Sequence, residues 1–431
     1  MPSPVTLPTA TIQDDFTTVL SEVHAGIIPS ENIWLSCYKD GEPSVHGKIS
    51  VSLHEKDRDR IELVGNGGVE LTRTSQFRYT ARCLGLGINS VDFISPREVY
   101  ADPLHSDEKR VSTDVDESGF LVSNDGAHEP LFCDSHLLVT ALLDGTLSVY
   151  NHPPSPSLAA TYPVPTTHVM QPIVTTKLHR SVVNALEILS GTSPDPLLAS
   201  AGSDFTINIT RLPTSSSTPL PSLTPLQSIR GHLRPVVALL PLPNDSLLSA
   251  STDGSLRMWD IRSGTQQAMW TMPKPAVALA AAATDDARGG AWVALADGNV
   301  QLVDTRASTS AAQWSAGVTA RAIAVSASGQ EVALGTANGT VTLFDVRGGS
   351  IREQWRRSGA PVECVSFAPG GRVVVGGEDG LPYLVDFTRG GEHAGLVASE
   401  LVFGNVEAVR ALRVSGELVY MAGNGGVVRK Y

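Results

Sequence analysis

Residues 247–260, LLSASTDGSLRMWD, read as two short strands around a tight turn. Apolar positions alternate on each side of Asp253-Gly254. An Asp-Gly pair between two such runs is a strong hairpin signal, because both central residues of the turn take positive φ. The pattern recurs as VTALLDGTLSVYN (139–151), LASAGSDFTINIT (198–210), AWVALADGNVQLVD (291–304), EVALGTANGTVTLFD (331–345), VVVGGEDGLPYLVD (373–386) and VYMAGNGGVVRKY (419–431).

The turn residues Asp144, Asp204, Asp253, Asp297, Asn338, Asp379 and Asn424 are separated by 60, 49, 44, 41, 41 and 45 positions. A four-stranded propeller blade repeats about every 40–45 residues. One small sheet cannot bury both faces alone; radial stacking around a channel buries them and leaves only short edges. The sequence therefore predicts an all-β, seven-bladed β-propeller. The two longest spacings coincide with Pro/Ser-rich runs at 151–165 and 210–228, which read as surface loops.

The third copy is the fullest: Gly231-His232 opens it, Ser249 and Ser251 lie on its second strand, Asp253 makes the turn and Trp259-Asp260 closes the third strand. It resembles the WD40 repeat. That resemblance implies a structural hydrogen-bonded network of His232, Ser251, Asp253 and Trp259, with His179 and Asp204 as its counterparts in the second copy, where Thr210 stands in place of Trp. The other copies keep the turn and lose most of the network, so their blades are expected to rely on packing. The seventh copy ends at Tyr431, after a third strand. Its fourth strand is expected from ahead of the first blade, in KRVSTDVDESGFLVS (109–123), which divides the chain into an N-terminal domain at 1–108 and the propeller at 109–431.

The front of the chain lacks the repeat. Ile12, Phe16, Val19, Leu20 and Val23 fall on one face of an expected amphipathic helix. Short strands with turns at Asp40-Gly41 and Asn66-Gly67 follow, so a small α+β domain is expected before the propeller. Residues 1–126 hold 11 Lys/Arg against 20 Asp/Glu, a net of −9, whereas residues 127–431 hold 21 against 24, a net of −3.

With 42% hydrophobic residues and 39 Gly and 28 Pro among 431, the chain is neither disordered overall nor of low complexity. A net charge of −12 repels phosphate backbones and anionic lipid, so neither nucleic acid nor a membrane is expected as a partner. Cys37, Cys83, Cys133 and Cys364 are scattered singly, which suggests neither a disulfide framework nor a zinc site. The eleven His show no metal spacing, and no G-x-S-x-G elbow or phosphate-binding loop occurs. The expectation is a monomeric, non-enzymatic chain without cofactor, metal or catalytic residues, in the cytoplasm and nucleus, with no secretion signal.

Three segments outside the repeat signature carry a narrower likeness. IWLSCYKDGEPSVHGKI (33–49), RRSGAPVECVSF (356–367) and the terminal GGVVRKY resemble segments of the proteasomal-ATPase-associated factor family, WD40-repeat chaperones of the proteasome regulatory particle. The resemblance implies a chaperone that binds the C-terminal region of one AAA ATPase subunit of the regulatory-particle base, using acidic propeller residues against a basic ATPase surface. The face formed by the blade turns and incoming loops would serve as the platform, and the residues expected on it are Arg180, Arg234, Arg321, Arg357, Glu378, Asp379 and Glu407. An alternative comes from Asp260-Ile261-Arg262, Asp304-Thr305-Arg306 and Asp345-Val346-Arg347. These Asp-x-Arg boxes resemble those of WD40 substrate receptors of cullin-type ubiquitin ligases. Arg262, Arg306 and Arg347 would then meet an adaptor on the opposite face.

Overall fold

The computed structural model describes residues 4–57, 60–75, 77–83, 88–101, 129–133, 137–151, 166–169, 171–189, 196–212, 222–282, 290–306, 310–386, 397–402, 408–423 and 427–431. Each copy of the repeat supplies the second and third strands of one antiparallel sheet. In the third sheet, Val236–Leu242, Ser246–Ser251, Ser255–Asp260 and Gln266–Thr271 lie side by side, with Leu247 opposite Trp259. The first strands of the seven sheets begin at Glu129, Val183, Val236, Ala276, Ala320, Val362 and Val409. Each packs against the next, and Glu129–Cys133 touches both Val183–Leu189 and Val409–Ser415, so the succession closes on itself.

Two features of the first strands follow from that closure. Near the axis the sheets converge and little side-chain volume fits. The third residue of six first strands is accordingly Ala185, Ala238, Ala278, Ala322, Cys364 and Ala411. Just before it, the register slips by one residue in all six sheets. A bulge adds local twist and re-aims the extra side chain; here the residues so placed are Asn184, Val237, Val277, Arg321, Glu363 and Arg410. Further out, the second strands are covered on both faces, as in Ser246–Ser251, where every residue is buried.

The strand outside Val427–Lys430 in the seventh sheet is Glu98–Ala101, antiparallel, with Val428 opposite Tyr100. The ring is therefore closed from ahead of the first sheet, but by an earlier segment than 109–123, which lies outside the described residues. Glu98–Ala101 lies ahead of the expected division at 108/109. Repeat periodicity could not locate this strand, which lies more than 300 residues from its partner in sequence.

The front segment builds its own core. Thr9–Ile12, Ser30–Tyr38, Val45–Leu53 and Ile61–Asn66 form one sheet, and Val69–Ser75, Arg78–Cys83 and Ile88–Ile94 a meander that joins the sixth sheet through parallel pairing of Ile88–Ile94 with Val397–Leu401. The helix Phe16–His24 buries Phe16, Val19, Leu20 and Val23 against Ile33, Leu35, Ile49 and Val51. It ends where Gly26, at φ 70°, donates its N–H to the Val23 carbonyl. Ile12 belongs to the preceding strand rather than to the helix. Cys37 and Cys83 meet in this core as a disulfide, with Cα atoms 6.6 Å apart. This corrects the reading of four single cysteines: the pair is 46 residues apart in sequence, a separation that carries no motif.

Candidate partner-binding face

Among the described residues, the turns between second and third strands and the loops entering the first strands share one end of the ring, as the third sheet shows in detail. His232 in the entering loop places Nδ1 3.0 Å from Asp253 Oδ2 and Nε2 2.7 Å from Ser249 Oγ, and Trp259 Nε1 is 2.8 Å from the same hydroxyl. An indole N–H can only donate, so Ser249 Oγ accepts from Trp259. The Asp253 carboxylate can only accept, so a neutral His232 turns its N–H at Nδ1 to it, and Ser249 Oγ gives its hydrogen to Nε2, 2.7 Å away, in preference to the Arg257 carbonyl at 3.4 Å. The imidazole proton then resides on Nδ1 and is donated to Asp253. Burial lowers the His232 pKa, in keeping with this neutral form. Burial works to raise the Asp253 carboxyl, but hydrogen bonds from the Ser255 hydroxyl, the Leu233 N–H and His232 outweigh it and hold the group well below the usual carboxylate range.

The serine in this chain is Ser249, not Ser251. Ser251 Oγ instead donates to the Arg234 carbonyl at 3.1 Å and accepts the Asp253 N–H at 3.1 Å, which ties the turn to the entering loop. Both serines project from the same face of their strand; the depth at which His232 inserts decides which one it meets. The second sheet repeats the arrangement with His179, whose Nδ1 is 3.0 Å from Asp204 and whose Nε2 is 2.8 Å from Ser200 Oγ. Burial also works to raise Asp204, but the Arg180 N–H, His179 and Thr206 bring it below its ordinary value. Thr210 takes the place of Trp259, and its buried hydroxyl finds no partner among the described residues.

Of the residues expected on this face, Arg180 and Arg234 are exposed in the loops entering the second and third sheets. Arg321 stands at the channel mouth, 3.7 Å from Glu363. Glu363 also meets Arg410 at 3.6 Å, and Arg410 lies 3.7 Å from Glu378, so a charged arc spans the fifth to seventh sheets. Sequence reasoning found Arg321 and Glu378 but missed Glu363 and Arg410, whose signal is their place before the small residue of the first strand. Opposite this arc the bulged positions are Asn184, Val237 and Val277. With Arg321, Glu363 and Arg410 they border an axial cavity of about 460 Å³. Deeper within it, Arg413 pairs with Glu187 at 3.1 Å. Asp379 accepts hydrogen bonds from Ser358 Oγ at 2.6 Å and the Leu381 N–H at 3.2 Å and so shapes its turn. Glu407 lies outside the described residues.

Arg357 is not on the face. Its guanidinium is buried against Glu400, donates to Thr9 Oγ1 at 2.9 Å and stacks 4.7 Å from the centre of the Tyr383 ring. Glu400 also accepts the Ala10 N–H at 2.9 Å, and burial raises its pKa despite the neighbouring arginine. The N-terminal strand thus covers the loop between the fifth and sixth sheets and takes Arg357 out of solvent, a contact between residues some 350 positions apart.

At the other end of the ring, Arg262 binds Asp245 at 2.5 Å and Arg306 binds Asp304 of its own box at 3.0 Å. The Arg347 N–H donates to Asp345 Oδ1 at 2.9 Å, and its side chain is exposed. Among the described residues no group of three His, Cys, Asp or Glu could hold a metal, and no helix is long and apolar enough to cross a membrane.

The strands and their ring define a β-propeller. Residues 223–260 match the family model described as WD domain, G-beta repeat. Among solved structures, the WD40 beta propeller domain of Doa1 is similar, with a TM-score of 0.55 and 15% identity over 72% of this chain and 93% of that one, a likeness of fold. No curated protein matches the chain.

Proposed function

We propose that the chain is a non-enzymatic assembly chaperone that binds the C-terminal region of an AAA ATPase subunit of the proteasome regulatory-particle base. The observation that carries this reading is the meeting of two segments that resemble the chaperone family and not WD40 repeats at large. Cys37 and Tyr38 of the first segment pair with Ala10 and Thr9. Arg357 of the second donates to Thr9, and its partner Glu400 accepts from Ala10. Motifs distant in sequence converge on one staple between the N-terminal sheet and the ring. Beside it, the exposed Glu378 ends the charged arc, 3.7 Å from Arg410, and is the acid proposed to meet a basic ATPase surface.

Adaptor docking through the Asp-x-Arg boxes is less well supported, because local carboxylates already engage Arg262 and Arg306. The test is a pull-down of the purified chain against each isolated ATPase C-terminal domain. One domain is expected to be retained, and reversal of Glu378 together with Glu407 to Lys is expected to weaken it with the circular dichroism unchanged. Retention of a ligase adaptor and of no ATPase domain would overturn the reading.

A further inference from the structure

In six of the seven copies glycine follows the Asp or Asn of the turn. The described ones, Gly145, Gly254, Gly298, Gly339 and Gly380, all have positive φ. The second copy places Phe205 there, at φ 68°, a region that a β-carbon makes costly and that bulky residues rarely enter. Burial does not offset the strain, since the residue is 42% exposed. Strain kept at an exposed aromatic residue is a mark of function.

Phe205 lines a cavity of about 380 Å³ with Arg180, Pro225, Arg230 and His232. Leu233, next in the chain, is 77% exposed. Arg180, Arg230 and Arg234 are exposed, and among the described residues none of the three makes an ion pair. The carboxylates of Asp204 and Asp253 are turned to His179 and His232. In a chain of net charge −12, this sector offers apolar surface ringed by uncompensated cations.

The geometry points to a docking site on the second and third sheets for an extended acidic peptide segment of a partner protein, with one apolar side chain seated beside Phe205 and Leu233 and flanking carboxylates on Arg180, Arg230 and Arg234. It goes beyond the ATPase reading, which draws on acids of the sixth sheet and its neighbour. A buried anchor supplies most of the affinity of such a contact, while the arginine–carboxylate pairs set its register, on-rate and salt dependence.

The test is fluorescence anisotropy on the full chain. The probe is a labelled peptide with a central phenylalanine flanked by two aspartates and two glutamates; control peptides replace the acids by lysines or the phenylalanine by serine. The acidic, anchored peptide should bind at least about tenfold tighter than either control and weaken with salt. Phe205→Gly should lower its affinity about tenfold while the melting temperature holds or rises, because glycine accepts the positive φ. Arg180→Glu with Arg230→Glu should lower it by a similar factor, and Glu378→Lys should leave it unchanged. No saturable binding by about 1 mM peptide, equal binding of the lysine peptide, undiminished affinity in Phe205→Gly, or an equal loss in Glu378→Lys would each overturn the proposal.

Discussion

The third sheet and the junction of the fourth and fifth are held together by different forces. In the third, Trp259, Ser249, His232 and Asp253 form one directed chain of hydrogen bonds from the third strand to the turn. At the junction, Trp292 stacks on Trp314 at 4.8 Å between ring centres, and Trp314 on Phe344 at 5.1 Å. Neither stack titrates. The same blade shape is thus reached by a polar relay in one sector and by aromatic packing in another, and only the first responds to protons.

The largest expected effect breaks both sectors and separates them by pH. Trp259→Ala and Trp292→Ala each remove a buried indole, and each should cost about 3–5 kcal/mol in chemical denaturation. The cost of Trp292→Ala should be the same at pH 7 and pH 4. That of Trp259→Ala should shrink on acidification, because the stability that neutral His232 lends the relay is lost as the pH falls below 6.5. Equal pH dependence in the two variants would erase the contrast.

Asp253→Asn comes next, with an expected loss of about 2 kcal/mol at pH 7 from weakened charge-assisted hydrogen bonds. Folding lowers the Asp253 carboxyl below its ordinary 3.8, so the unfolded chain binds that proton more readily. The stability it contributes is present above 3.8 and is lost as the pH falls below that value. His232, lowered from 6.5 by burial, acts in the same direction at higher pH, since its neutral form is the folded one. Urea midpoints measured from pH 7 to pH 2 should therefore fall less steeply in Asp253→Asn than in the parent.

The smallest effect lies in the second sheet. Thr210→Val removes a buried hydroxyl without a partner while keeping the side-chain shape, and should raise stability by up to about 1 kcal/mol. A loss of stability would mean that the hydroxyl is hydrogen-bonded after all.

What the sequence made legible was what repeats. The described Asp/Asn turns, the alternating strands and the His-Asp pairs of the second and third sheets stand in the structure as their spacing suggests, because each is decided by neighbours within one blade. Contacts between distant segments were not legible. Arg357 looked like a loop cation until Thr9 and Ala10 covered it, Cys37 and Cys83 carried no spacing signal, and Glu98–Ala101 took the closing position without any mark of the repeat. Ser249 and Ser251 could not be told apart by alternation. The charged arc was half visible, because Arg321 and Glu378 stand out as loop-adjacent charges while Glu363 and Arg410 are re-aimed by bulges.

We propose that the end of the ring carrying the Asp/Asn turns is the working surface. Hydrogen exchange of the full chain, with and without the ATPase domain proposed as its partner, measures this directly. Protection is predicted over 358–363 and 376–382, with 260–265, 304–306 and 345–349 unchanged. Protection confined to those last three segments, which hold the Asp-x-Arg boxes at the other end, would contradict it.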